Sequence, residues 1–145
     1  MIVSLHVATG GGVALLARSR PAALLLGPLV HVAGDQVPHQ DIHDRRFEVA
    51  SGVVCVVLLA VRRGPLDPVT LGAASCSAPD LEHLFSWLRP GGRKLFHRGP
   101  GGHSPFGGIP SSVQLLLAGA IVGFLLGPSR VSPGSPPATG GPPGA

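Results

Sequence analysis

Five apolar stretches make up most of the chain, and their shortness restricts the folds that it can adopt. Each is 10 to 15 residues long, over residues 3–17, 21–33, 49–61, 69–78 and 113–126. A helix that crosses a bilayer perpendicularly needs about 20 apolar residues. Each stretch is therefore either a buried core helix or a short span that flanking residues extend.

Residues 49–61 are rich in valine, which also suits a buried strand. The neighbouring stretches are rich in alanine and leucine, and no hairpin turn signals separate them. These features favour helices throughout. The sequence predicts an all-α fold, an up-and-down bundle of about five short apolar helices.

Charged residues make up only 12% of the chain, whereas a typical soluble domain has about 25%. This scarcity, together with the apolar stretches, predicts association with a membrane. Glycine and proline are concentrated in residues 127–145, where they occupy 11 of 19 positions. We therefore expect one helical domain over residues 1–126 and a disordered Gly/Pro-rich tail over residues 127–145.

The net charge of +4 does not indicate a nucleic-acid partner. Most arginines lie in scattered pairs, and no aromatic residues alternate with them to form a stacking platform. Basic residues beside apolar runs suit a membrane surface better. Cys55 and Cys76 form no CxxC motif, and the start of the chain lacks the basic segment of a cleaved signal peptide.

An up-and-down bundle would place both long connections, residues 34–48 and 79–110, at the same end. All seven histidines then fall at that end: His6, His31, His39, His43, His83, His97 and His103. His31 and Asp35 are four residues apart, and Asp80 and His83 are three apart, so each pair would share a helix face. Imidazole and carboxylate groups bind Zn, Fe or Mn, and the sequence predicts a metal site there.

Each of these features also has an ordinary structural explanation. His31 and Asp35 suit a surface pair on a helix, Asp80 suits a helix N-cap, and residues 35–41 suit a turn stabilised by Asp and Pro. His43 and Asp44 are expected to be solvated loop residues. The alternatives to an enzyme are a small non-catalytic membrane protein and a metal-binding module without catalysis.

Four segments resemble motifs of the membrane-bound metal-dependent hydrolase family, whose members resemble zinc-dependent phospholipase C. Residues 78–83 (A-P-D-L-E-H) are similar to its G-x-x-x-P-D-x-D-H element, and residues 97–104 (H-R-G-P-G-G-H-S) to H-R-G-x-T-H-S. Residues 31–41 look like an H-x-x-x-D-x-x-P-H element, and His6 matches an early T-H position. The chain departs from these motifs at Leu5, Glu82 and Gly102 and by one extra residue before His103.

The resemblance implies a helical inner-membrane hydrolase with a di- or trinuclear centre, most simply of Zn. Its substrate would be a membrane lipid or a small ester or phosphoester, attacked by metal-activated water. The implied catalytic residues are Asp35 and Asp80, which hold or orient the water, and Arg98, which offsets phosphoryl charge. The implied metal ligands are His6, His31, Asp35, His39, Asp80, His83, His97 and His103.

Overall fold

A computed structural model describes residues 1–85, 87, 89–93 and 107–127 of the chain. Its helices are α1 (Val3–Ala17), α2 (Arg20–Asp35), α3 (Arg45–Arg63), α4 (Pro68–Ser77), α5 (Leu81–Leu84) and α6 (Ser111–Leu125), with 3₁₀ turns at Ala78–Asp80 and Pro90–Gly92. The described residues form no strand beyond one isolated bridge between His39 and Ile109. The all-α prediction is confirmed, whereas the predicted tail, except Gly127, lies outside the described residues.

Short polar side chains explain where three of the long helices begin. Ser19, Asp44 and Asp67 each precede a helix and accept a hydrogen bond from a backbone N–H of its first turn, which satisfies a donor that the helix leaves open. α6 differs, because Pro110 precedes it and no side chain caps it. Ser111 is already the first residue of this helix, so neither it nor Ser112 is the N-cap residue.

α1 lies at the centre of the fold and packs against α2, α3, α4 and α6. The glycines within it do not break the helix. A Cβ atom on Gly10 would lie 2.3 Å from the Cβ of Cys76 and 2.4 Å from the backbone oxygen of Gly72. Gly10 therefore lets the backbones of α1 and α4 approach more closely than any other residue would allow.

We expect Gly10→Ala to destabilise the protein by about 1–3 kcal/mol, because the added methyl group overpacks the contact between α1 and α4. Gly12→Ala is the matched control, since a Cβ there meets no atom within 4 Å. It should stabilise the helix by up to about 1 kcal/mol. Chemical denaturation measures both free energies of unfolding, and equal effects would contradict this account of the packing.

Contacts between helix ends show how the helices meet. His6, near the start of α1, stacks on His31, near the end of α2. His31 in turn contacts the backbone of Cys76 near the end of α4, and Ile2 donates a hydrogen bond to Gln114 near the start of α6. The start of α1 therefore lies beside the ends of α2 and α4 and the start of α6.

Two clusters of buried apolar side chains hold α1 against α3, α4 and α6. One contains Ile2, Leu5, Ala8, Ala118 and Val122, and the other contains Val7, Leu59, Val69, Ala73 and Leu125. Many large apolar side chains nevertheless remain exposed. Among the described helices, none combines the length and the apolar character that crossing a membrane requires.

Candidate metal centre

Three side chains from three separate segments converge at this end of the fold. His6 comes from α1, His31 from the last turns of α2, and Asp80 from the 3₁₀ turn that follows α4. One ligand atom from each lies within 4.8 Å of the other two, so the group could hold a metal ion. The two histidines are fully buried and Asp80 is partly buried.

The backbone of α4 determines which nitrogen of His31 carries the hydrogen in the neutral ring. Its Nδ1 lies 2.8 Å from the carbonyl oxygen of Cys76, and a carbonyl accepts hydrogen bonds only, so Nδ1–H is the donor. The lone pair is then on Nε2, which lies 3.3 Å from Oδ2 of Asp35 and 3.8 Å from Oδ1 of Asp80. A metal ion bound between this nitrogen and the two carboxylates would be surrounded by ligand atoms of the kinds that zinc accepts.

His6 completes the pair of imidazoles. Its ring stacks on that of His31, with 3.8 Å between the centroids, and its Nε2 lies 3.0 Å from Oδ1 of Asp35. In the neutral ring Nε2–H donates to that carboxylate and leaves the lone pair on Nδ1. This nitrogen is buried and has no hydrogen-bond partner among the described residues. A buried lone pair without a donor is a feature that a bound cation would explain.

Burial keeps His6 in the form that binds metals. Desolvation is the largest cause that lowers its pKa, to about 4, and the nearby His31 lowers it further, while the hydrogen bond with Asp35 opposes the shift. A neutral imidazole with a free lone pair is the ligating form of histidine. At neutral pH the protein therefore has a preformed neutral ligand at this position.

The spacing of His31 and Asp80 is compatible with one shared ion. Ligand atoms that each lie 2.0–2.1 Å from zinc are about 3.3 Å apart at the tetrahedral angle. The distance from His31 Nε2 to Asp80 Oδ1 is 3.8 Å, and Asp35 lies 3.3 Å from the same nitrogen. His6, His31 and Asp80 therefore form a group that could hold a metal ion, and Asp35 contacts both imidazoles at its edge. We call these four residues the His/Asp cluster.

His39, predicted as a ligand, lies beside the His/Asp cluster and not within the metal-holding group. Its Nδ1 donates to the carbonyl oxygen of Val37 at 2.6 Å, and its Nε2 lies 3.3 Å from Oδ1 of Asp41. The Met1 nitrogen contacts His39 Nε2 and lies 2.7 Å from Asp35 Oδ1. The Met1 nitrogen thus connects His39 to Asp35 of the cluster.

The remaining predicted residues have different outcomes. His31 and Asp35 share a helix face as their spacing predicts. His83 belongs to α5, but the structure describes only its backbone. The predicted ligands His97 and His103 and the predicted catalytic Arg98 lie outside the described residues.

A cleft of about 450 Å³ between α3 and α4 opens beside the His/Asp cluster, and both Asp35 and Asp80 line it. Glu48 of α3 also lines the cleft and was not predicted as a site residue. Burial raises its pKa to about 7, and the carboxylates of Asp41 and Asp80 raise it further. An acidic residue just before the valine-rich stretch was the only sequence signal for this role.

We expect Glu48→Gln to raise stability at pH 8 by about 1 kcal/mol, after allowance for the partial exposure of Glu48. The folded protein holds the Glu48 proton up to about pH 7, against 4.5 in the ordinary side chain. The free energy of unfolding of the wild type therefore falls as the pH rises from 4.5 to about 7. The variant has no carboxyl group at this position, so its stability does not show this decrease. Denaturation with a chelator present should show the gain at pH 8 and not at pH 4. An equal gain at both would contradict this expectation.

Comparisons of the chain with protein-family models, with curated proteins and with solved structures gave no match. What the site does is therefore inferred from its own residues. Ligand atoms of His6, His31 and Asp80 lie close enough together to share one ion, and Asp80 also lines, with Asp35, a cleft large enough for a small molecule.

Proposed function

We propose that the protein is a membrane-associated, metal-dependent hydrolase that cleaves an ester or phosphoester. The observation that carries this proposal is the lone pair of His31, which the Cys76 carbonyl orients toward Asp35 and Asp80. Metal-binding histidines in proteins almost always donate their other ring N–H to such an acceptor. The order of the motifs that resemble the membrane-bound metal-dependent hydrolase family supports the same function.

In this proposal the His/Asp cluster consists of three ligands and one proton acceptor. His6, His31 and Asp80 would hold the ion, and imidazole with carboxylate favours zinc. When bound, the ion would supply a Lewis acid and lower the pKa of water to about 7. Asp35 uses Oδ1 to orient His6, while its Oδ2 would accept the proton of the attacking water. Arg98 would offset the charge of a phosphoryl group, as the resemblance implies.

Hydrolysis tests the proposal directly. The zinc-loaded protein should cleave para-nitrophenyl acetate or bis(para-nitrophenyl) phosphate, and a chelator should abolish the cleavage. Metal retention without hydrolysis of either compound would leave a metal-binding module. Absence of both metal and hydrolysis would leave a non-catalytic membrane protein.

Exposed apolar side chains support the proposed association with a membrane. Leu25 and Leu29 of α2 and Leu116 and Phe124 of α6 are 66 to 75% exposed, and patches of such residues are typical of contact with lipid or protein. By the family resemblance, the membrane would be an inner membrane. The protein should float with lipid vesicles in a density gradient, and recovery without vesicles at the bottom would contradict this assignment.

A further inference from the structure

The cleft beside the His/Asp cluster has one polar end and one apolar end. Asp35 and Asp80 lie at the polar end, together with Arg45 and Glu48 from the first turn of α3. Farther along α3, the lining changes to Val49, Gly52, Val53, Val56 and Val57, and α4 contributes Ala74 opposite. A ligand that fills the cleft must therefore have a polar group at one end and an apolar body.

The dimensions of the apolar part indicate the shape of that body. The lining residues of α3 recur every three to four positions, so they form one stripe along the helix. From Val49 to Val57 the stripe is about 12 Å long, at 1.5 Å per residue. An extended backbone advances about 1.2 Å per covalent bond, so roughly ten bonds of an unbranched aliphatic chain match this length.

The chemistry of the polar end fixes the orientation of the ligand. Four carboxylates line it, those of Asp35, Asp41, Glu48 and Asp80, beside the single guanidinium of Arg45. Groups that hold a cation in place are therefore concentrated there, and the wall formed by the valines offers no polar side chain. The hydrolysable group of a substrate would lie against the His/Asp cluster while its apolar part lies along α3.

We propose that the cleft binds an unbranched aliphatic chain of about eight to ten carbon atoms, which makes the substrate an ester with one medium-length chain. This proposal rests on the proposed hydrolase function for its ester group and on the cleft alone for the aliphatic chain. Val53 and Val57 would contact the middle and the far end of that chain. Both are more than half exposed at present, so a bound chain would bury them.

The binding of hydroxamic acids to the zinc-loaded protein tests the proposal. Acetohydroxamic and octanohydroxamic acids carry the same zinc-binding group and differ by six methylenes. We expect the longer acid to bind about 50-fold more tightly, if half of each added methylene is buried. Calorimetry measures both dissociation constants without any need for catalysis.

Two phenylalanine variants locate the aliphatic chain. Val53→Phe fills the cleft and should reduce the preference for the longer acid to about fivefold or less, since only part of the added methylenes then finds apolar surface. Val54→Phe is the matched control, because Val54 is equally exposed, at 55%, and does not line the cleft. It should leave the preference unchanged. Equal binding of the two acids by the wild type, or equal effects of the two variants, would overturn the proposal.

The same binding experiments distinguish failure of the cleft proposal from failure of the proposed hydrolase function. If the zinc-loaded protein binds acetohydroxamic acid without gain from a longer chain, the cleft proposal fails and the proposed function stands. If the protein retains no zinc, octan-1-ol replaces the acids as the probe of the metal-free protein. Tighter binding of octan-1-ol than of ethanol, lost in Val53→Phe only, would then support the cleft while the hydrolase function fails. No such preference would overturn the cleft proposal as well.

Discussion

The double variant His31→Ala, Asp80→Ala is expected to bind zinc at least about 100-fold more weakly than the wild type, because loss of a mere supporting contact already costs 10- to 100-fold. It removes two of the three residues that could hold the ion. It also removes the imidazole whose lone pair the Cys76 carbonyl orients. After dialysis against zinc-free buffer, elemental analysis should find bound zinc in the wild type and almost none in the variant.

His43→Ala is the matched control for this measurement. His43 is also a histidine, in the connection between α2 and α3. It is exposed and does not belong to the group that could hold an ion. This variant should retain the wild-type amount of zinc. Circular dichroism should show the same helical content in all three proteins, so that loss of metal is not loss of fold. Equal zinc in the wild type and the double variant would refute the metal centre.

The limits of α1 and the start of α2 were predictable because local signals determine them. The predicted stretch 3–17 coincides with α1 (Val3–Ala17), and α2 begins one residue before Pro21, where the predicted stretch 21–33 starts. The packing of α1 was not predictable in the same way. Its three consecutive glycines suggest an interruption, yet Gly10 faces α4 at a distance that only a glycine tolerates. That distance depends on the partner helix.

The His/Asp cluster was partly predictable for a similar reason. The four-residue spacing of His31 and Asp35 is a local signal, and the structure shows their contact. The role of Cys76 left no signal, because it acts through its backbone carbonyl, which every residue has. The raised pKa of Glu48 depends on its burial and on carboxylates from other segments.

The position of His39 depends on a tertiary contact that its motif does not contain. Its segment pairs with the one before α6: Gln40 donates to the carbonyl of Ile109, and Ile109 donates to the carbonyl of Pro38. Gly108 has a positive φ of 80°, and a Cβ there would lie 2.5 Å from Pro38, so this pairing needs a glycine. The bridge fixes the backbone of His39, and its ring contacts Val37 and Asp41. The distant segment was not part of the motif that suggested a ligand.

The variant Asp35→Asn should retain zinc at saturating concentrations and lose hydrolysis by about 100-fold or more, the usual contribution of a proton-accepting group. Asparagine has the same shape, and its side-chain oxygen still accepts the hydrogen bond from His6 Nε2–H. Its amide group cannot accept the proton of water. The loss should therefore appear in kcat for para-nitrophenyl acetate, with zinc content unchanged.

Asp80→Asn is the contrasting variant, because Asp80 is assigned to hold the ion, and it should lose zinc and hydrolysis together. Both carboxylates lie near the same His31 nitrogen, at 3.3 and 3.8 Å, so this difference in outcome is what separates a ligand from a proton acceptor. If Asp35→Asn hydrolyses the ester at the wild-type rate, Asp35 merely orients the histidines. The proton acceptor must then be sought at Glu48, whose pKa of about 7 in the wall of the cleft suits that role.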